Sequence, residues 1–234
     1  TLSLSSAASD VYKRQGKGLP NCPEENGPDM DYSASSILID LGDKDILVAG
    51  QKSGSVYGID PDTGDIIWSK AVSGGGTQGG IHFGMASEGK TVYVPMNDMK
   101  DTHDGKVWLN RKPGMHSLNS ENGEILWSSI TNKECKEIDI NCDPGISAAV
   151  TAIPGAVIAG HLDGMIRVYD KENGEVLWSF NSLGNYESIS GTPASGGSFS
   201  GSGPSIRNGY MAINSGYGLY NHMPGNALLL FSIE

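Results

Sequence analysis

Short apolar runs, separated by turn residues, follow one another along most of the chain. Residues 46–49 (Ile-Leu-Val-Ala) and 156–159 (Ala-Val-Ile-Ala) are such runs, and a glycine-containing turn follows each, at residues 52–54 and 162–164. Apolar, β-branched runs of this length are typical of strands, and glycine lets the chain reverse direction. No segment keeps a helical period over three turns. The pattern therefore predicts an all-β chain of strands joined by tight turns.

A longer unit recurs three times, in the segments 57–68, 116–127 and 167–178. Each has an Asp or Asn, a glycine four residues later and a tryptophan four residues after that glycine, and the tryptophans are 59 and 51 residues apart. Glycine supplies the positive φ of a tight hairpin turn, and the Asp or Asn side chain binds the turn amides. A period near 50 residues with internal turns indicates a propeller or another array of β-units.

The recurring tryptophans, Trp68, Trp127 and Trp178, have two interpretations. One is a platform for a base or a cofactor. The other is a large anchor that packs one repeat against the next, and this is favoured because the residue recurs at the same place in every repeat.

The repeat length sets the size of the assembly. A unit of about 50 residues over residues 16–234 gives about four blades, and propellers are closed by 4–8 blades of four strands. The predicted fold is an all-β propeller of four-stranded blades, either complete and small or part of a larger ring.

Composition narrows the range of partners. The formal charge is −11, so a nucleic acid or an anionic membrane surface is a poor partner for this chain. No apolar run approaches the ~20 residues that a membrane-spanning helix needs. Glycine is abundant, at 33 residues, which suits a fold with many turns.

Two of the three cysteines lie in one polar loop. Cys135 and Cys142 are seven residues apart, and a local disulfide between them would indicate an oxidising compartment. Two unrelated thiols are the alternative. Zinc is disfavoured because no histidine pair lies at ligand spacing nearby.

The first fifteen residues do not look like natural protein. Residues 5–15, Ser-Ser-Ala-Ala-Ser-Asp-Val-Tyr-Lys-Arg-Gln, resemble a translated adapter from a DNA sequencing library. We therefore interpret residues 1–15 as a non-native segment and residues 16–234 as a propeller fragment, the C-terminal piece of a longer protein.

The glycine-rich stretch 73–80 has the composition of a phosphate-binding loop. It lacks the Gly-Lys-Ser/Thr ending and the following helix, so nucleotide binding is not expected. The acidic segment 98–104 lacks the spacing of a helix-loop-helix calcium site and is interpreted as a solvated loop.

The motif Asp-x-x-Thr-Gly-x-x-x-Trp resembles the blade motif of pyrroloquinoline quinone (PQQ) dehydrogenases, and cofactor-free scaffold proteins also carry it. Further stretches resemble the site region of PQQ-dependent alcohol dehydrogenases, most closely the polyvinyl alcohol dehydrogenase branch. These stretches, in chain order, are residues 27–32, 49–54, 79–84, 93–95, 147–154, 214–217 and 223–229. In that family the propeller has eight blades, and the resemblance makes this chain its second half.

The resemblance implies two catalytic residues. Asp29 corresponds to the base that accepts the hydroxyl proton and to a Ca²⁺ ligand, and Asp31 is a second candidate ligand. Lys52 corresponds to the cation that reaches the quinone oxygens. The alternatives are two turn carboxylates ahead of a strand and an ordinary solvated lysine.

Four aromatic or imidazole side chains complete the implied cofactor site. His82 and Phe83 occupy positions where the family has a polar residue and a tryptophan, so Phe83 is a departure from the pattern; a core phenylalanine at a strand start is the alternative. Tyr217 and Tyr220 match an aromatic-containing loop near the pocket. The remaining histidines form no metal spacing and are interpreted as surface or loop residues: His103, His116, His161 and His222.

The implied activity is oxidation of a secondary or polymeric alcohol to a ketone, using PQQ and Ca²⁺ in the periplasm, with a cytochrome-type electron acceptor. In the family the other Ca²⁺ ligands and several PQQ contacts come from the N-terminal half, so we expect this chain alone to be inactive. A cofactor-free scaffold of the cell envelope is the competing interpretation, because the blade repeat fits it equally well. A sugar-oxidising quinoprotein is a third, which differs only in the pocket.

Overall fold

The computed structural model describes residues 30–76, 78–99, 110–131, 142–217, 220 and 222–233. The described residues contain strands and no helix, as the sequence pattern predicts. Residues 1–15, Asp29, Cys22, Cys135 and His103 lie outside this set.

Blade 1 is a four-stranded antiparallel meander in which neighbours in sequence are neighbours in the sheet. Its strands are β1 (Ile37–Asp40), β2 (Asp45–Gly50), β3 (Ser55–Ile59) and β4 (Ile66–Ala71). The Asp60 carboxylate accepts the amides of Asp62 and Thr63 in the β3–β4 turn, and Gly64 has a φ of +80° there. The turn chemistry predicted for the repeat is therefore present.

Blades 2 and 3 repeat this meander. The strands of blade 2 are β5 (Ala86–Glu88), β6 (Thr91–Met96), β7 (Gly114–Asn119) and β8 (Ile125–Ile130). The strands of blade 3 are β9 (Thr151–Ile153), β10 (Ala156–Gly160), β11 (Met165–Asp170) and β12 (Val176–Asn181).

A fourth sheet follows a short hairpin. The hairpin pairs β13 (Asn185–Glu187) with β14 (Pro193–Ser195). Blade 4 then has three strands within the described residues: β15 (Ser205–Arg207), β16 (Tyr210–Ser215) and β17 (Ala227–Ser232). The predicted all-β propeller of four-stranded blades is confirmed.

Three apolar clusters lie between successive blades and form the core. Ile39 and Val48 of blade 1 pack with Val94 of blade 2, and Tyr93 of blade 2 packs with Val157 of blade 3. The third cluster joins blade 3 to blade 4. The first strand of each blade lies near the first strand of the next: β1 contacts β5, and β5 contacts β9. The first strands are therefore the innermost strands of their sheets.

The tryptophan of one blade reaches the β-turn of the next. Trp68 Nε1 donates to the Ser120 carbonyl at 2.9 Å, and Trp127 Nε1 donates to the Lys171 carbonyl at 2.9 Å. The packing interpretation of these two residues is thereby confirmed. Trp178 is 41% exposed and instead packs on Phe180 and Phe231.

Because each blade is an antiparallel meander, the loops that follow even-numbered strands all leave the sheets at one end. We call this end the site face. Backbone hydrogen bonds tie its loops together, from Ile81 to Gln51, from Asn97 to Gly80 and from Ile146 to Met96. The tryptophan turns lie at the opposite end. In the described part of the chain no helix is long and apolar enough to cross a membrane.

Candidate functional site

Lys52 and Asp31 meet on the site face. The Lys52 ammonium lies 3.0 Å from Asp31 Oδ2, and the Lys52 amide donates to the Asp31 carbonyl at 3.0 Å. The lysine side chain is only 15% exposed, whereas the Asp31 side chain is 64% exposed. The arrangement holds a cation inside the loop cluster with its carboxylate partner toward solvent.

The glycine-rich stretch forms a cradle around the Lys52 turn. A Cβ atom on Gly80 would lie 2.1 Å from the Lys52 carbonyl oxygen, and one on Gly75 would lie 2.2 Å from the Ser53 carbonyl carbon. Both glycines have positive φ, at +63° and +66°. The Gly76 amide also donates to the Lys52 carbonyl at 3.0 Å. These glycines are therefore needed because backbone approaches backbone closely here.

His82 is buried beside this turn. Its Nδ1 lies 3.1 Å from Ser147 Oγ and 3.5 Å from Asn97 Nδ2. Asn97 Nδ2 also donates to the Gln78 carbonyl at 2.6 Å, which fixes the orientation of the amide. Because an amide N–H can only donate, Nδ1 is the acceptor and the ring proton is on Nε2.

Two buried polar atoms at this place have no hydrogen-bond partner. They are His82 Nε2, a donor, and Asn97 Oδ1, an acceptor. Burial, with smaller contributions from the nearby charges of Lys52 and His222, lowers the pKa of His82 to about 4, and the Gly79 backbone opposes this shift in part. His82 is therefore neutral near pH 7. A buried polar group without a partner costs about 1–3 kcal/mol, so such a pair marks a place where a ligand would compensate the cost.

Phe83 packs edge-on against the ring of His82, with ring centroids 5.8 Å apart. Phe83 is half-buried, so it lies in the same cluster of side chains as His82.

The two predicted tyrosines differ in their relation to this cluster. Tyr220 is exposed, has a φ of +56° and lies 6.3 Å from the ring of His222. Tyr217 is also exposed, and its hydroxyl donates to the Asn226 carbonyl at 3.1 Å.

Three of the histidines interpreted as surface or loop residues are buried: His161 and His222 lie in loops, and only His116 lies in a strand, so for His116 the interpretation is wrong. His116 lies between Ser128 Oγ and the Lys112 carbonyl, at 2.8 and 2.9 Å. His161 lies between the Pro144 carbonyl and the Tyr169 hydroxyl, at 2.9 and 2.8 Å. Burial lowers the pKa of both imidazoles. His222 is 6% exposed, and its Nδ1 has no partner.

Asp98, interpreted as part of a solvated loop, is fully buried and corrects that prediction. Its carboxylate accepts the Ser73 hydroxyl at 2.8 Å, the Lys112 amide at 2.6 Å and the Gly80 amide at 3.3 Å. Asp98 therefore binds the glycine cradle to the loop of blade 2. Its role is to shape the loops that hold Lys52.

The described residues contain no group of three or more His, Cys, Asp or Glu side chains able to hold a metal ion. Asp31 binds Lys52 as described, and Asp29 lies outside the described residues. The Lys52 ammonium and the His82 imidazole N–H are donors that fit a flat, oxygen-rich cofactor, and the Asn97 amide oxygen adds one acceptor. Cys142 is disulfide-bonded, and both candidate partners, Cys22 and Cys135, lie outside the described residues.

Comparison with known proteins agrees with this fold. The sequence model of a PQQ-repeat family, described as "Outer membrane protein assembly factor BamB", matches residues 23–97 and 52–198. The chain therefore belongs to this family of repeat propellers.

Two relatives and one solved structure add detail. The chain is 39% identical to a protein named polyvinylalcohol dehydrogenase from Pseudomonas sp, over 92% of this chain and 34% of that protein. It is 32% identical to a second polyvinylalcohol dehydrogenase, from Sphingopyxis sp. (strain 113P3), over 94% of this chain and 35% of that protein. The resemblance to the polyvinyl alcohol dehydrogenase branch is thus confirmed, and the chain spans about a third of the length of these curated relatives.

The crystal structure of a quinohemoprotein alcohol dehydrogenase from Pseudomonas putida HK5 is similar, with a TM-score of 0.54. The similarity covers 81% of this chain and 29% of that one at 16% identity, so it supports the fold alone.

Proposed function

We propose that this chain is part of a quinoprotein alcohol dehydrogenase that oxidises a secondary or polymeric alcohol to a ketone with PQQ and Ca²⁺. The observation that carries the proposal is a pair of buried polar atoms without hydrogen-bond partners, His82 Nε2 and Asn97 Oδ1, beside the turn that holds Lys52. The sequence identity of the chain to two proteins named polyvinylalcohol dehydrogenase supports the same reaction class.

The quinone, when bound, accepts two electrons and the hydrogen from the alcohol carbon. Lys52 and the His82 Nε2–H are donors that stabilise negative charge on oxygen atoms of the cofactor, and both are already in position. The glycine cradle and Asp98 hold the Lys52 turn, so little reorganisation accompanies binding.

Asp29 is assigned the role of base that accepts the proton of the alcohol hydroxyl, and Asp29 and Asp31 are assigned as Ca²⁺ ligands. A carboxylate near its usual pKa is ionised at neutral pH and can take that proton. Phe83, Tyr217 and Tyr220 are assigned to the pocket wall and its entrance.

We place the protein in the periplasm. The disulfide at Cys142 supports an oxidising compartment. The sequence has no Cys-x-x-Cys-His haem motif, so we assign electron acceptance to a cytochrome-type partner or to another part of a longer protein. We also propose that residues 1–15 are non-native and that this chain alone does not turn over alcohol.

The first test is binding. Equilibrium dialysis of the protein with its upstream part restored should detect binding of PQQ in the presence of Ca²⁺, and Lys52→Met should weaken it about tenfold, as expected for loss of one charge-assisted contact. Lys90→Met is the matched control, because Lys90 is an exposed lysine paired with Glu121. Equal weakening by both variants would argue against the role of Lys52.

The second test is activity. The gene with its upstream reading frame should reduce a dye when given PQQ, Ca²⁺ and a secondary alcohol or polyvinyl alcohol. Asp29→Asn should abolish this activity without loss of PQQ binding. Full activity of Asp29→Asn would remove Asp29 from the mechanism.

A cofactor-free envelope scaffold is the second candidate, because the description of the matching family model names an assembly factor. A scaffold predicts no PQQ binding by wild type. It also gives no reason for a buried imidazole donor and a buried amide acceptor to be left without partners beside a lysine.

A further inference from the structure

His222 lies on the site face, in the loop between β16 and β17. The residue is 6% exposed, and its Nδ1 has no hydrogen-bond partner. The chain beside it is fixed: the Met223 amide donates to Ser198 Oγ at 3.0 Å, and the Ser198 amide donates to the Met223 carbonyl at 3.0 Å. A fixed, buried imidazole with an unused nitrogen is a prepared ligand contact.

His222 belongs to the cluster already described, although it comes from a blade at the other end of the chain. Ser198, which holds the His222 loop through Met223, also donates to the Leu162 carbonyl. The Leu162 amide in turn donates to the Gly145 carbonyl, two residues before Ser147, whose hydroxyl contacts His82. Blade 4 therefore adds a second imidazole to the site. The sequence predicts only tyrosines as the contribution of blade 4.

The charges around the two imidazoles select the class of ligand. The described residues offer the two imidazoles no third ligand of the metal-binding types, so the imidazoles do not form a metal site of their own. Oxygen atoms that carry partial or full negative charge are attracted by the ammonium and accept from imidazole N–H groups. The cluster thus favours an oxygen-rich, anionic ligand.

We propose that His222 is a second histidine contact to the bound quinone, with Nδ1–H donating to one of its oxygens. This inference rests on the proposed function. His222 then acts with His82. The cofactor contacts two neutral imidazoles, one from the loop that follows blade 1 and one from blade 4.

The first test uses the wild-type chain, which removes any doubt about folding. Nitrogen-15 NMR of the histidine rings is recorded with and without PQQ and Ca²⁺. His222 Nδ1 and His82 Nε2 should shift, whereas the rings of His116 and His161 should stay unchanged because both nitrogens of each already have protein partners. A shift at His82 without one at His222 would overturn the proposal and indicate that a buried water occupies that nitrogen.

The second test compares two substitutions by equilibrium dialysis with PQQ. His222→Leu should bind about tenfold more weakly than wild type, and His222→Asn should retain most of the affinity because its amide nitrogen takes the place of Nδ1. Circular dichroism and the melting temperature check that each variant is folded.

The outcomes separate the two claims. If wild type binds PQQ and His222→Leu binds it equally well, the His222 assignment is wrong and the proposed function stands. If the wild-type protein with its upstream part restored does not bind PQQ at any concentration used for NMR, the proposed function fails and the His222 assignment fails with it.

Discussion

The indole ring of Trp68 lies directly over Gly123 of the next blade. A Cβ atom on Gly123 would be 2.5 Å from Cε3 of that ring, and the same relation joins Trp127 to Gly174 at 2.4 Å. The repeated glycine thus has two functions: it allows the positive φ of the turn, +72° at Gly123, and it leaves room for the neighbouring tryptophan.

The substitution Gly123→Ala separates these two functions when it is compared with Gly64→Ala. Gly64 has the same place in the turn of blade 1 and a φ of +80°, but nothing lies within 4 Å of its Cβ position. Gly64→Ala should cost about 1 kcal/mol from strain alone, and Gly123→Ala about 2–3 kcal/mol more because the indole must move. Urea denaturation measures both. Equal losses would mean that the tryptophan contact adds nothing.

Gly80→Ala should disturb the lysine at the site. The new methyl group meets the Lys52 carbonyl, so the turn must shift and carry the ammonium with it. We expect PQQ affinity to fall about tenfold or more. Gly89→Ala is the control, since Gly89 has a similar φ of +55° with open space around it. Unchanged affinity in Gly80→Ala would show that the cradle does not position Lys52.

Stability should decrease in mild acid because buried histidines are held neutral. Burial lowers the pKa of His82 and of His222 to about 4, against about 6.5 in the unfolded chain. Between these values the unfolded state binds more protons, so the free energy of unfolding is fully present above pH 6.5 and falls as the pH decreases toward 4. The total loss should be on the order of 3 kcal/mol, after allowance for partial screening.

Urea midpoints between pH 6.5 and 5 test this, because most carboxylates remain ionised in that window. The double variant His82→Gln/His222→Asn should show a flatter dependence than wild type. In the double variant, part of the pH dependence of stability should remain because burial lowers the pKa of His116 and His161 as well. A wild-type curve with no slope in this window contradicts the prediction.

The buried ion pair of Asp163 and Arg167 should be essential to blade 3. Two hydrogen bonds join the side chains, at 3.1 and 2.7 Å, and both residues are almost wholly inaccessible to solvent. Asp163→Asn should cost about 3–5 kcal/mol because it removes the charge of the carboxylate that is bonded to a buried guanidinium. Glu121→Gln, in the exposed pair with Lys90, should leave the melting temperature unchanged. A small loss in Asp163→Asn would indicate that water reaches Arg167.

The sequence alone predicts the blades because their turn chemistry is local. Asp60 and Gly64 form their turn within five residues, so the motif carries the information. The tryptophan spacing then gives the repeat length, and each repeat of that length forms one sheet. Trp178 has the same motif position but remains 41% exposed, since its environment depends on packing partners that no local pattern encodes.

The site is less predictable because its parts come from loops far apart in sequence. Lys52 and Asp31 are found through their motif context, and the structure brings them together. The burial of His222 and Asp98 depends on loops from other blades, and an isolated polar residue in a loop gives no indication of that. The role of Gly75 and Gly80 likewise depends on a backbone 20 to 30 residues away, with which only the folded chain brings them into contact.

Blades 1 and 2 each carry a tryptophan near their end, and blades 2 and 3 each carry a glycine against which the tryptophan of the preceding blade packs. A duplicated repeat would therefore already contain a tryptophan to pack on the next blade and a glycine to receive the tryptophan of the previous blade. Rings of different size can then arise by gene duplication without any new interface having to evolve, and sequence drift at the site face can proceed separately, since the tryptophan contacts lie at the opposite end of the sheets.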